Sequence, residues 1–355
     1  MTKDPFAAAD QEGFLDEDEK PPFFLHGPAF MSAGDSEPKI LVPRIAYEGC
    51  ATMVHGRPRS MKSLATLAGC VELSAGMSWW GLFAPMQPLR VGLLLEEDSA
   101  PLVRQRLGWI LAGLGLDELP DNFFVRVRSG LVLEAPSARA ELLEGIRDES
   151  IDILLIDPVR APFPGVDGGP EKGSPVRRFV SEALEVVRSV TLVHHDVKPP
   201  RDGQDARARA ERASGGQVLS LADVPIGFTR LGPRAALVEW SLVKIGADGG
   251  PVRLDFESGT DHGGGFTDYL RICASEADEG DTEDAAARER VREWVTDHLW
   301  HTPTEIAAGT ALKRETVDRV LAQLAAAHLL RMETGAAAKA RGRHQNAKLW
   351  GSFDE

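Results

Sequence analysis

The segment His55-Gly56-Arg57-Pro58-Arg59-Ser60-Met61-Lys62-Ser63 constrains this chain more than any other. It nearly fits G-x-x-x-x-G-K-[ST], and it stands between an apolar run at 51–54 and a stretch of helical periodicity over about 62–75. In that setting, successive backbone N–H groups and a helix N-terminus surround a phosphate. Lys62 would reach the terminal phosphates and Ser63 would offer its hydroxyl to Mg²⁺. The expected cofactor-binding set is Gly56, Arg57, Pro58, Arg59, Ser60, Met61, Lys62, Ser63 and Leu64. Met61 departs from the pattern, which has glycine there, and a side chain at that point would crowd the loop or change its path. The alternative reading is an ordinary strand–turn–helix junction that happens to hold Lys-Ser.

The strands downstream favour the phosphate loop. From about 45 to 260, short apolar runs alternate with longer amphipathic stretches, as in a parallel α/β domain. LRVGLLLEED reads as a buried strand closed by Glu96, Glu97 and Asp98, and IDILLIDP as a second closed by Asp157. TLVHHD is a third, ending at His194 and His195. In an open sheet these strand ends share the ligand-binding carboxyl edge. Asp157 would hold Mg²⁺ through water, and a carboxylate from 96–98 would orient or deprotonate an attacking water. After residue 198, a polar repetitive stretch leads to IGFTRL, AALVEWSLVKIG and VRLDFES, expected as antiparallel strands.

These motifs, in this order, resemble the RecA-like ATPases of the plasmid replicative helicase RepA type, a family of hexameric P-loop ATPases. The resemblance covers about residues 45–260 and rests on GRPRSMKS, LLLEEDS, ILLIDP, LVHHDVKP and RASGG. It implies Glu97 as catalytic base, Asp157 as the Mg²⁺-holding acid of the Walker B strand, and the pair His194–His195 as a group that senses the γ-phosphate or couples it to DNA-binding loops. It also implies Arg212 as an arginine finger reaching a neighbouring subunit, with Lys244 facing the adjacent ATP site. The plainer readings are a structural histidine pair, a solvated basic loop (Arg207, Arg209, Arg212) and a surface lysine.

The remainder of the chain differs in charge. Residues 311–350 hold eight Lys or Arg against three acids, a net +5, on a chain whose formal net charge is −14. AARERVREWVTDHLW, the Thr302-Pro303-Thr304-Glu305 helix start and LKRETVDRVLAQLAAAHLL predict three helices. RMETGAAAKARGRHQNAKLW then predicts a wing with a flexible basic tip. A winged helix of this kind would meet DNA through Lys313, Arg314, Arg319, Lys339, Arg341 and Arg343; its alternative use is subunit packing.

The expected fold class is α/β: a RecA-like P-loop core with a mostly parallel sheet and antiparallel C-terminal strands, plus a small α+β winged-helix domain. The expected divisions are an acidic flexible segment 1–40, the ATPase domain 41–262, an acidic linker 263–285 and the winged helix 286–355. With 43% hydrophobic and 26% charged residues, a sizeable core is available. No run approaches the ~18 apolar residues of a membrane span. Three scattered cysteines and the absence of a secretory start suit the cytoplasm. The expected function is a Mg²⁺-dependent ATPase that binds ATP between the subunits of a homo-oligomeric ring, with a hexamer as the expected size. It would act on DNA, single-stranded at the core, and could extend to replicative helicase activity. The alternative is a nucleotide-switched DNA-binding regulator with little turnover.

Overall fold

The apolar runs between residues 50 and 195 become neighbouring strands because none can bury both faces alone. The computed structural model describes residues 24, 26–32, 37–164, 174–196, 221–240, 245, 250–259 and 268–352. Two compact units, Met1–Pro38 and Lys39–Glu355, divide the chain. In the first, Gly27–Ser32 forms a short helix, α1, within the stretch expected to be irregular. Most of that stretch lies outside the described residues.

The second unit opens with a small ribbon, β1 (Ile40–Val42) and β2 (Ala46–Tyr47). Then come β3 (Cys50–Gly56), α2 (Lys62–Ser74), β4 (Val91–Leu95), α3 (Ala100–Leu114), β5 (Phe123–Val127) and α4 (Pro136–Asp148). They are followed by β6 (Ile153–Asp157), α5 (Ser174–Leu184), β7 (Ser189–His195), β8 (Val224–Gly232), β9 (Ala235–Trp240), β10 (Val252–Ser258) and β11 (Leu270–Glu276). The sheet order is β11-β10-β9-β8-β3-β7-β6-β4-β5. The pairs from β8 through β3, β7, β6 and β4 to β5 are parallel, and those from β8 out to β11 are antiparallel. This is the expected mostly parallel α/β sheet with antiparallel C-terminal strands, consistent with a RecA-like P-loop core.

Successive strand residues point to opposite faces, so the central strands β3, β4, β6 and β7 feed two cores. Leu93, Leu95, Ile153 and Leu155 pack with Leu67 of α2 and Leu107 and Ile110 of α3. Leu94, Leu154 and Ile156 pack on the other face with Leu143 of α4 and Phe179 of α5.

Three sequence expectations change. The first concerns β8, expected to be purely antiparallel, which is parallel to β3 and antiparallel only to β9. In the second, the acidic run 276–284 is not a linker. It closes β11 and starts helix α6 (Glu279–Asp297), where Asp278 and Asp281 form a reciprocal capping box. Acids suit a helix N-terminus because they meet its unpaired N–H groups and positive dipole end. The third is the basic tip of the expected wing, which contains a short helix.

The C-terminal elements are α6, α7 (Pro303–Thr310), α8 (Arg314–Ala326), β12 (Leu330–Glu333), α9 (Ala336–Ala340) and β13 (Leu349–Ser352), with β12 and β13 antiparallel. Thr302 caps α7 through a capping box with Glu305, and Pro303 takes the first helical position. Val291, Val295, Ile306, Val317, Val320, Leu321 and Leu324 join the three helices in one apolar cluster. Among the described residues, no helix is long and apolar enough to cross a membrane.

Helix α2 carries a buried carboxyl, Glu72, whose Oε2 accepts the Trp80 backbone N–H at 2.6 Å. Trp80 is itself buried in a left-handed turn, with its indole N–H donating to the Ala65 carbonyl at 2.9 Å. Burial pushes the Glu72 carboxyl up to about 8, opposed by the Trp80 hydrogen bond and by Arg271. The folded state therefore keeps a proton that the unfolded chain releases above pH 4.5. Stability should fall as pH rises from about 5 to about 8, by up to about 1.4 kcal/mol per pH unit from this group. Glu72→Gln keeps an acceptor for Trp80 and should flatten that slope, measured by urea unfolding across the pH range. The same slope in both proteins would rule Glu72 out as its source.

Candidate nucleotide site

Strand β3 delivers the phosphate loop to the carboxyl edge of the sheet. Gly56 ends the strand at φ 156°, and a Cβ there would lie 2.6 Å from the Phe228 carbonyl oxygen of β8. Only glycine fits this approach. Arg59 (φ 64°) and Met61 (φ 72°) are both left-handed. Met61 is the N-cap of α2 and adopts a left-handed conformation of the kind that favours glycine. The loop thus keeps its path at the cost of a strained residue, about 1–2 kcal/mol for a non-glycine, while Met61 and Leu64 pack against the core.

Lys62 opens α2 and is only 2% exposed. Its ammonium donates to the Arg57 carbonyl at 3.2 Å and to His195 Nδ1 at 2.7 Å. Because Lys62 is a donor, Nδ1 must accept, which leaves the imidazole proton on Nε2, 3.4 Å from Glu97 Oε2. Burial lowers His195 further from protonation, reinforced by the Lys62 charge and opposed by Glu97. A neutral His195 therefore links the loop lysine to Glu97. Burial lowers Lys62 to about 8, against the attraction of Asp157, Asp196 and Glu97.

Asp157 ends β6 and is buried. Burial raises it to about 6, opposed by a hydrogen bond from the Ser63 hydroxyl and by the Lys62 charge. Ser63 and Asp157 thus bring two hard oxygen donors together beside the lysine. That set suits Mg²⁺, which takes few protein oxygens and completes its shell with phosphate and water.

The three acids after β4 separate into different roles. Glu96 accepts the backbone N–H groups of Ser129 and Gly130 at 3.0 and 3.1 Å, so it braces the loop after β5. Asp98 pairs with Arg106. Glu97 faces the site, with its side chain 57% exposed, touching His195 and lying 4.0 Å from Arg160. The histidine pair also splits: His194 is 1% exposed inside the sheet, whereas His195 faces Lys62.

The sequence offered no sign of where the loop arginines go. Arg57 pairs with Glu289 and, at 2.8 Å, with Glu293, both on α6. Arg59 donates to the His328 carbonyl at 2.9 Å, beyond α8. Pro58 is exposed. The acidic partners lie more than 200 residues away, which no local pattern reveals. Arg160, three positions past Asp157, was also missed. Arg207, Arg209, Arg212 and Lys244 lie outside the described residues.

The expected DNA contacts lie far from the loop in sequence. Arg314 pairs with Asp318 at 2.9 Å, Arg341 with Glu333 at 2.8 Å and Arg343 with Glu305 at 2.8 Å, and Arg319 pairs with Asp284. Arg341 also stacks over Trp300 at 3.7 Å. Lys313 and Lys339 are exposed.

Residues 25–201 match a family model described as an AAA domain. The match supports a P-loop ATPase. It covers the loop, Glu97, Asp157 and His195, so it agrees with the geometry of nucleotide binding. No curated protein matches the chain at a significant level.

The strain at Met61 yields a direct check. Met61→Gly should bind ADP as tightly as the wild type or up to about fivefold more tightly, because about 1 kcal/mol of left-handed strain is removed. Met61→Val should bind more weakly, since a branched residue tolerates this conformation least. Fluorescence titration with a labelled ADP reads both; tighter binding by Met61→Val would refute the strained-loop account.

Proposed function

We propose that this protein is a Mg²⁺-dependent ATPase that works as a ring on DNA, in the manner of a plasmid or phage replicative helicase. The observation that carries this reading is the convergence of Lys62, Ser63, His195, Glu97 and Asp157 at one sheet edge. Lys62 and the loop N–H groups bind the phosphates. Ser63 and Asp157 would hold Mg²⁺, which neutralises phosphate charge when bound. Glu97, half exposed and hydrogen-bonded by His195, takes a proton from the attacking water. His195 orients that carboxylate and senses what the lysine touches, since moving Lys62 onto a phosphate removes its hydrogen bond to Nδ1. In a ring, Arg212 and Lys244 would complete the site from the neighbouring subunit.

Residues 286–355 act in this reading as a winged-helix domain, with α8 as recognition helix and the β12–β13 hairpin as wing. Lys313 and Lys339 are its main phosphate contacts, because Arg314, Arg319, Arg341 and Arg343 already serve acids of the same region. Their charge still adds to the field around the module. One observation favours a second reading, a nucleotide-switched DNA-binding regulator: the phosphate loop holds α6 directly through Arg57. A change in the loop would then reach the helical module without turnover.

Glu97→Gln should retain ATP binding but lose about 10²-fold or more of the hydrolysis rate, the usual worth of a general base. Lys62→Ala should lose both binding and turnover. Wild-type hydrolysis in either variant would remove the assignment. Single-stranded DNA should raise the steady-state rate, and Lys313→Glu with Lys339→Glu should weaken DNA binding while sparing basal hydrolysis. Tight ATP binding with no turnover under any condition would select the switch over the motor.

A further inference from the structure

A second cleft, of about 180 Å³, lies between the phosphate loop, the end of β8 and helices α6 and α8. Ser60, Arg230, Arg288 and Arg292 line it, together with Arg57 and the acids Asp196 and Glu289. Lys62, Ser63, Glu97 and Asp157 are not among its walls, so it adjoins the nucleotide cradle and shares with it only Arg57 and Ser60 of the loop.

The charges in the cleft do not cancel. Glu289 is engaged by Arg57, and Asp196 by His55 at 3.1 Å. Arg230 directs its nitrogens to the carbonyls of Gly232, Arg59 and Pro233, which carry no net charge. Arg288 is 2% exposed, and its Nη1 donates to the Leu231 carbonyl and to Gln323 Oε1. Among the described residues, its Nε and Nη2 have no acceptor, and the hydroxyl of Ser60, 4% exposed on the same cleft, has no partner. A buried guanidinium left with unpaired donors is costly, and an anion relieves that cost. Burial, then the neighbouring Arg230, lowers Arg288 to about 10 against the attraction of Asp284, which Arg319 already holds, so it remains a cation at neutral pH.

We propose that this cleft is a second anion site, taking a phosphate-class oxyanion on the Nε and Nη2 donors of Arg288 and the hydroxyl of Ser60. A guanidinium edge presents two parallel N–H groups to such an oxyanion. The volume lies below the ~300 Å³ at which pockets hold small organic ligands, so the cleft suits one tetrahedral group and excludes a nucleotide. The group could be free inorganic phosphate or the phosphate of a monoester whose remainder stays outside. Because Ser60 and Arg57 belong to the phosphate loop and Arg288 to α6, the anion would tie the loop to the C-terminal helices.

The test is equilibrium dialysis of radiolabelled inorganic phosphate against the full chain, with excess ADP present to occupy the nucleotide cradle. Wild type should still take up phosphate, and Lys62→Ala without ADP should do the same. Arg288→Gln should lower the affinity about tenfold, the worth of a charge-assisted pair. Ser60→Ala, which removes no charge, should lower it less and guards against an Arg288 variant that fails to fold, as read by its melting curve. Competition by a sugar monophosphate as effective as that by phosphate would identify a monoester site; competition by phosphate alone would identify the free anion. The proposal is overturned if ADP-saturated wild type takes up no phosphate. It is equally overturned if uptake vanishes in Lys62→Ala yet persists unchanged in folded Arg288→Gln and Ser60→Ala. Neither result bears on whether the cradle binds nucleotide, which the labelled-ADP titration measures separately.

Discussion

A lysine ammonium held almost out of water at the first turn of α2 is the constraint on which the rest of the site depends. Burial works against the charge of Lys62, lowering it to about 8, and the surrounding structure offsets that cost. The Arg57 carbonyl and His195 Nδ1 accept its protons, while Asp157, Asp196 and Glu97 supply opposing charge. These groups come from the ends of several strands. Their meeting requires β7 to lie between β3 and β6, as the sheet order places it. A sheet that paired β3 directly with β6 would leave no strand to carry His195 between the lysine and Glu97.

The same loop shows how a fold tolerates an exception. Three positions, Gly56, Arg59 and Met61, control its path, and only one is glycine. At Gly56 the obstacle is the Phe228 carbonyl, a backbone atom of a paired strand that cannot withdraw. At Met61 the demand is a left-handed backbone, which a flexible unbranched side chain meets at modest cost. Contact with the core recovers part of that cost. Outward-facing residues of the loop meet α6 and the turn after α8, so the loop is braced from both sides.

Much of the fold was legible along the chain. The five buried residues of β4 and of β6, the polar strand ends, and the Thr302–Pro303 helix start are local signals, and local physics produced the elements they announce. The strand LRICASE was missed although Leu270, Ile272 and Ala274 alternate with Arg271 and Ser275: the alternation is short and runs into the acidic stretch, and pairing with β10 is what makes it β11. The acidic run beside it looked like a linker because composition alone does not distinguish a solvated turn from a capped helix start.

By itself, the sequence determined the phosphate loop, the order of acids and histidines behind it, and the edge at which they would gather. Alternating apolar runs and helical stretches can bury their faces in few ways, and parallel strands put their carboxyl ends on one side. Only the tertiary structure decided which of Glu96, Glu97 and Asp98 faces the lysine, since adjacent residues compete for partners contributed by other strands. It alone decided that His194 is buried while His195 turns to the lysine, and that Arg57 closes on α6 and Arg59 on the turn after α8, each more than 200 residues away. Those outcomes depend on contacts between distant segments, which no local spacing encodes.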